Sequence, residues 1–381
     1  MCKAVLLMKK IIEVKSCRDI KRFINFPLEL YKDSPYYVPM LYGDEKKIFK
    51  KNYVYNNTCK TIFFLCVDEN DKVLGRIEGI IQIAANKKWQ QNRVRFTRFD
   101  AINDQEVANL LFEAVRNWAL PQGINEMVGP LGYSDLEREG LLIEGFDKIQ
   151  TYEEQYNYEY YKHLIDNYGF KKDVDWIEYK ITPPSQIDPR LIKASEMVKS
   201  RYGLSVYQPK TVCGFIKEYK EQFFEIIDTT YSKIYGTVPF TKEMMNASIS
   251  SFILILRPQD IAVVLDKDKK VVGFVLVFPS ISEIVTKYKG KIGLRFLIDF
   301  FKNKKHPKII DLGLIGVLEQ NSSQGVATLL ITEMQKGIIG KNIEHLETNL
   351  MLENNHKILG LMSNFDTEVT KKRRCYVKNI D

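Results

Sequence analysis

The strongest constraint on the fold is that the chain repeats itself. The segment "IFFLCVDENDKVLGRI" (62–77) aligns with "DIAVVLDKDKKVVGFV" (260–275), so that Asp68 falls on Asp266, Lys72 on Lys270, Val73 on Val271 and Gly75 on Gly273, an offset of 273 − 75 = 198. Each copy reads strand, charged tight turn, strand, which is a β-hairpin. A second pair follows in the same order: "DQEVANLLFEAVRNWALPQGINEM" (104–127) aligns with "SQGVATLLITEMQKGIIGKNIEHL" (323–346), with Val107 on Val326 and Leu111 on Leu330, an offset of 330 − 111 = 219. The offset grows by 219 − 198 = 21, so the second copy carries an insertion between hairpin and helix. That insertion holds "SEIVTKYKGKIGLRFLIDFFKNKKHPK", in which Leu294, Leu297, Ile298 and Phe301 have the spacing of a short amphipathic helix. Two ordered matches imply two copies of one domain.

Each half reads strand, one or two helices, hairpin, strand, helix, strand, helix and terminal strands. The join is "ITPPSQIDPR" (181–190), whose three prolines and lack of an apolar run fit a linker. The expected fold class is therefore α/β (an α+β mixed sheet), with one domain over 1–180, a linker over 181–190 and a second domain over 191–381. A length of 381 residues suits two domains, and 45% hydrophobic with 27% charged residues suits well-cored ones.

Several chemistries lack their residue patterns. Six cysteines (Cys2, Cys17, Cys59, Cys66, Cys213, Cys375) form no CxxC pair, and four histidines (His163, His306, His345, His356) show no HExxH spacing, so neither a metal site nor a disulfide framework is expected. No cysteine stands beside a histidine in sequence, so no thiol nucleophile is marked. The opening "MCKAVLLMKK" is too short in apolar residues for a signal sequence, and no run approaches the ~18 apolar residues of a membrane-crossing helix. The chain reads as cytoplasmic, with no membrane partner. Its net charge of +8 includes the runs "KNKK" (302–305) and "KKRR" (371–374), read as a solvated surface or as a field attracting an anionic cofactor or acidic carrier. No aromatic-interleaved motif points to nucleic acid.

The stretch with chemical content is "GVLEQNSSQGVATLL" (316–330): an apolar run ends at Glu319 and Gln320, small polar residues follow, and Gly325 opens a helix whose Val326, Leu329, Leu330 and Met334 share one face. The first turn of a helix has unpaired N–H groups and partial positive charge, which favours an anion such as a pyrophosphate. A glycine lets a phosphate approach the backbone, and Ser322, Ser323 and Ala327 are small. In the repeat Gly325 aligns with Glu106, a carboxylate that would repel a pyrophosphate, so one phosphate seat is expected, in the second half.

This element order, with a strand ending in a polar-Gly-x-small turn that opens a helix, resembles the GNAT superfamily of acyl-CoA-dependent N-acyltransferases, present twice. The family signature Q/R-x-x-G-x-G/A would here be Ser322-Ser323-Gln324-Gly325-Val326-Ala327, which keeps Gly325 and Ala327 and departs at Ser322. "FPLELYKDSPYYVPML", "GPLGYSDLEREGLLIEGFD" (129–147) and "NYGFKK" (167–172) are similar to a bacterial subgroup with two such domains. The resemblance implies tandem GNAT-like domains, each a mostly antiparallel sheet flanked by helices, the first degenerate and the second binding acetyl-CoA or another acyl-CoA. It implies that the strand "KIIDLGLIGVL" splays from its neighbour and that the backbone of Val317 and Leu318 receives the pantetheine arm; Gly313 and Gly316 read as a bulge or as close packing. It also matches Asn355 to a cofactor-binding or helix-starting asparagine.

Direct transfer from a thioester to an amine needs a base and often an acid near the leaving thiolate. Glu347 and Glu353 are the candidate bases, sharing one sheet face if their strand is regular, and Glu319 is a third. The family's tyrosine acid falls at Met362, which leaves Tyr376 as the substitute. The long first-half loop offers Asp135, Glu137, Glu139 and Glu144 either to a cationic acceptor or to solvent, with Tyr152, Tyr156, Tyr158, Tyr160 and Tyr161 around or beneath it. The expected activity is N-acyl transfer from an acyl-CoA to an amine. The rivals are a transferase using an acyl carrier protein or aminoacyl-tRNA, and a non-catalytic binding protein.

Overall fold

The computed structural model of the chain describes residues 8–381, so the opening MCKAVLL, including Cys2, lies outside the described residues. The chain divides into two compact units. The first comprises residues up to Ile177 together with Ser282–Phe296 and Thr370–Asp381; the second comprises Glu178–Ile281 and Leu297–Val369.

Elements of the first unit come in the order β1 (Lys10–Glu13), α1 (Cys17–Leu30), α2 (Tyr42–Lys47), β2 (Cys59–Val67), β3 (Val73–Gln82), α3 (Ile83–Trp89), β4 (Arg93–Ala101), α4 (Gln105–Ala119), β5 (Glu126–Gly129), β6 (Leu141–Glu144), α5 (Tyr160–Tyr168) and β7 (Lys171–Ile181). There follow α6 (Pro189–Tyr202), β8 (Ser205–Tyr207), α7 (Val212–Tyr231), α8 (Lys242–Phe252), β9 (Ile261–Leu265), β10 (Val271–Pro279), α9 (Ser282–Lys287), α10 (Leu294–Lys305), β11 (Ile309–Val317), α11 (Val326–Ile338), β12 (His345–Thr348), β13 (Met351–Leu352), α12 (His356–Met362) and β14 (Thr367–Asn379). Strands β7 and β14 both run from one unit into the other. In the first unit the sheet order is β1-β2-β3-β4-β5-β14-β7, with β6 on β14, and in the second it is β7-β12-β11-β10-β9-β8. Each unit has a parallel pair at the corresponding place, β4 with β5 and β11 with β12, in an otherwise largely antiparallel sheet. This is the mixed α/β architecture expected.

The repeat has a physical cause at each matched residue. Asp68 Oδ1 accepts from the N–H groups of Asn70 and Lys72, both at 2.9 Å, and Asp266 Oδ1 accepts from those of Asp268 and Lys270, also at 2.9 Å. The two turns are one Asx-type device used twice. Beyond each turn stands the matched glycine. A Cβ on Gly75 would lie 2.8 Å from Leu111 Cδ1 and 3.0 Å from Val107 Cγ1, and one on Gly273 would lie 2.5 Å from Val326 Cγ1 and 3.4 Å from Leu330 Cδ1. The glycines let α4 and α11 close onto their sheets, and the valine and leucine of each helix are the residues that take up the space. Gly273→Ala is expected to cost about 1–3 kcal/mol by overpacking. Gly293→Ala, where a Cβ meets nothing within 4 Å, is the control, and urea midpoints compare the two.

The second unit covers both faces of its sheet. Along β10, Val272, Val275 and Val277 pack with Val326, Leu329 and Leu330 of α11, while Phe274, Leu276 and Phe278 pack with Phe215, Tyr219 and Ile226 of α7. That is why β10 reads as a continuous apolar run rather than an alternating one. Helix α6, not foreseen in the sequence, starts at Pro189 behind the N-cap Asp188, whose side chain accepts from Arg190 N at 2.8 Å. Two of the residues that looked like linker are in fact a helix start, Pro at the first position being favourable there. The insertion forms α9 and α10. No helix of the described residues is long and apolar enough to cross a membrane.

Candidate functional site

In the second unit β11 and β12 pair in parallel only from Ile309 with His345 to Leu312 with Thr348, yet β11 continues to Val317. Its last five residues therefore have β10 on one side and no strand on the other. Leu318 donates its N–H to Val272 O at 3.0 Å, so the alternation of the ladder turns the polar groups of Val317 and Ile315 toward the open edge. The expectation for Leu318 thus needs correction, because its N–H is spent on β10. Ile315, not singled out in the sequence, faces the same side, but its backbone groups are already taken, which leaves Val317. There the Tyr231 hydroxyl donates to Ile315 O at 3.0 Å and accepts from Ile315 N–H at 3.2 Å, and Asn349 Nδ2 donates to Gly313 O at 3.3 Å. The glycines of β11 serve close packing: a Cβ on Gly313 or Gly316 would lie 2.6 Å from the ring of Phe278 or Phe274. The ladder also shifts register beside Gly313.

After β11 the residues Glu319–Gln324 form a 3-10 turn, in which Ser322 Oγ donates to Glu319 O at 2.7 Å and Asn321 Nδ2 to Gln324 Oε1 at 2.8 Å. Ser322 and Ser323 are exposed. Gly325 then turns the chain into α11 at φ 77°, and the α11 N-terminus has no side-chain cap. A Cβ on Gly325 would lie 2.7 Å from Val198 Cγ2 of α6. The glycine is therefore required by its left-handed backbone and by the approach of α6, reasons additional to any ligand.

The first unit blocks both features at the equivalent place. Asp104 caps α4, its Oδ1 accepting from Glu106 N at 2.9 Å and Val107 N at 3.3 Å, and Lys9 bridges Asp104 at 2.6 Å and Glu106 at 2.5 Å. The strand edge is filled as well: Tyr161 Oη accepts from Ala101 N at 2.9 Å, and Tyr160 Oη donates to Ala101 O at 2.7 Å. Sequence comparison pointed to Glu106; Asp104 and Lys9, from the chain's opening residues, complete the block.

The remaining candidates are scattered. Glu347, in β12, stands opposite Lys180 and Asp311 and lies 3.3 Å from His345 Nε2. The strand breaks between β12 and β13, so the regularity that would have put Glu347 and Glu353 on one face is absent, and Glu353 follows β13 in the turn before α12. Asn355 caps α12, accepting from Ile358 N at 3.3 Å. Glu319 pairs with Lys233 at 3.3 Å in full view of solvent. Tyr376 belongs to the first unit, buried opposite Gly129, and burial pushes its phenol up. Among the described residues no group of three or more His, Cys, Asp or Glu could hold a metal ion.

A feature that sequence reasoning missed is a buried ion network in the first unit. Arg76 Nε donates to Asp100 Oδ2 at 2.7 Å and Nη1 to Glu45 Oε2 at 3.4 Å. Arg98 Nε donates to Glu45 Oε1 at 3.0 Å and Nη1 to Glu78 Oε2 at 2.8 Å, and Tyr133 Oη donates to Glu78 Oε1 at 2.5 Å. Arg98 sits at a bulge with φ 45°, where β4 places Arg98 and Phe99 opposite the single Ile77. The loop that held the acidic cluster feeds into this region. Glu137 accepts from Tyr53 Oη at 2.9 Å, Glu139 is buried, and Glu144 pairs with Lys372 at 3.0 Å. Glu137 is thus held inside the unit rather than in a solvated loop.

Burial pushes the Glu78 carboxyl from 4.5 up to about 7, although Arg98 opposes the shift. The folded unit then holds this proton more tightly than the unfolded chain, so its stability falls as pH rises from 4.5 to about 7. Glu78→Gln is expected to make that part of the profile shallower, with Glu153, also pushed up to about 7 by burial, keeping part of the slope, measured as urea midpoints across the interval.

Two units, each with a hairpin, one parallel pair and a helix entering after its strand, with the strand edge open in the second, define a tandem GNAT fold. Among solved structures, the tandem GNAT protein from the clavulanic acid biosynthesis pathway matches with a TM-score of 0.55 at 10% identity, over 98% of this chain and 99% of that one. Of curated proteins, Protein YghO of Escherichia coli is 25% identical over 377 residues, covering 95% of this chain and 93% of that protein. The bacterial ceramide synthase of Caulobacter vibrioides is 24% identical over 285 residues, covering 74% and 73%. No family model matches the chain.

Proposed function

We propose that the second unit is an N-acyltransferase that moves an acyl group from an acyl-CoA to an amine by direct attack. The observation that supports this most is the pairing of an open strand edge at Val317 with an uncapped helix N-terminus after Gly325, both blocked in the first unit, where Ala101 is the equivalent of Val317. The α11 amides, with Ser322, Ser323, Gln324, Gly325, Val326 and Ala327 around them, would hold the pyrophosphate. The Val317 edge would pair with the amides of the pantetheine arm, with Asn355 beyond it. The amine nitrogen attacks the thioester carbonyl, the C–S bond breaks, and the proton lost by the amine is balanced by one gained by the departing thiolate. Glu347 is the base this reading favours, since it lies on the strand that parts from β11; Glu353 is the second. The relative described as a ceramide synthase makes an amide, which supports an amine acceptor and makes long-chain amines the first to screen.

Isothermal titration with CoA and acyl-CoA, followed by a thiol-release screen over amines, tests the reading. Binding of CoA with amine-dependent thiol release is expected. Absence of CoA binding removes it. Glu347→Gln is expected to lower kcat by about 10²-fold or more at unchanged CoA affinity, the range of a lost general base.

A further inference from the structure

The insertion that distinguishes the second half turns its apolar residues outward. On α10, Phe296 and Phe300 are buried, whereas Leu294 is 76% exposed, Leu297 40%, Ile298 58% and Phe301 58%. These four recur at helical spacing and form one stripe. Lys304 Nζ donates to Leu254 O at 2.6 Å, which holds Leu254, 63% exposed, beside the same helix. With Ile292, six of the twelve exposed large hydrophobic side chains among the described residues belong to this small region. Scattered exposed apolar residues are ordinary, but a contiguous patch of this kind marks an interaction surface.

The charges around the stripe say what meets it. Arg295, Lys302 and Lys305 are exposed on the helix, and Asp299 is its one carboxylate. The helix is held by buried Phe296 and Phe300 and by Asn303 Nδ2 donating to Ser280 O at 2.8 Å, which leaves the stripe facing outward. Bulky aliphatic and aromatic side chains in a row, edged by cations whose stems reach along the same surface, match the acyl boundary and headgroups of an anionic bilayer. We propose that α10 seats the protein on an anionic lipid surface, lying in the interface without crossing it. The proposal does not depend on the acyltransferase reading, because it rests on a helix outside the open strand edge and its loop.

Sedimentation of the full chain with vesicles tests it, one set of phosphatidylcholine alone and one with added phosphatidylglycerol. Cosedimentation with the anionic set that weakens with salt is expected. The double variant Ile298→Asp with Phe301→Asp should lower partitioning about tenfold or more, since it deletes the apolar stripe. Lys302→Glu with Lys305→Glu should lower binding to the anionic set by about fivefold per charge. Circular dichroism checks the fold, and Leu294→Gln, at the most exposed position, gives a milder variant expected to weaken binding in the same direction. Failure to sediment with anionic vesicles, equal binding by the Asp variant, or saturable binding of an acidic acyl carrier protein by this face in place of vesicles would each overturn the proposal.

Discussion

Ala327→Glu is expected to weaken CoA binding at least tenfold while leaving the fold intact. Ala327 is in the first turn of α11, partly exposed, in a helix whose N-terminus has no side-chain cap. A carboxylate there favours the helix by about 0.3–1 kcal/mol through the macrodipole. The same charge about 5 Å from a pyrophosphate opposes it by roughly 3 kcal/mol at an effective dielectric of 20. Stability and affinity therefore move in opposite directions, which a merely disruptive change cannot produce. The comparison is Ala327→Gln, with nearly the same shape and no charge, which should bind CoA almost as the parent does. Titration calorimetry and urea denaturation of the three proteins read both quantities. Equal affinity in the Glu and Gln variants would move the phosphate seat away from α11. The first unit already carries the natural version of the experiment in Asp104 and Glu106, which Lys9 bridges.

Arg98→Met should be the most damaging single change in the first unit, costing on the order of 3–5 kcal/mol, because removing one partner of a buried ion pair leaves the others uncompensated. Glu45 would keep only the longer contact to Arg76 at 3.4 Å, and Glu78 would keep only Tyr133. Arg98 holds the Glu45 carboxyl below its usual range despite burial and limits the rise at Glu78. Without it the Glu78 carboxyl would rise above about 7, so the cost should shrink as pH is lowered toward about 7 from above. Denaturant midpoints of parent and variant at several pH values read both the size and the slope; a pH-independent difference would mean that lost packing, not lost charge, dominates.

The repeat made the architecture legible, because the two turns and the two glycine-to-helix contacts use the same atoms in both halves, and such local devices leave fixed residues at fixed spacings. The turn into α11 was legible for a similar reason, since Gly325 opens the helix where its spacing implied. Helix α6 was hidden by its own start signal, since Pro189 and Asp188 suit a linker as well as a helix N-terminus. The charged network was hidden because Glu45, Arg76, Arg98 and Tyr133 come from four separated segments, and only the bulge at Arg98 turns its guanidinium onto both carboxylates. Tyr231 lay outside the motif because a hydroxyl from the end of α7 meets Ile315 across 84 positions of chain. The pairing of Glu347 with Glu353 failed on a strand break that residue spacing does not encode.

The return of residues 370–381 to the first unit has a consequence for biosynthesis. Strand β14 lies between β5 and β7 in that unit's sheet, so the first unit lacks an interior strand until residues 370–381 have left the ribosome. The unit begun first is then completed only after the second has been made. Until then β5 and β7 offer unpaired edges to any passing strand, and a nascent chain stalled near 369 would be an aggregation hazard rather than a finished first domain.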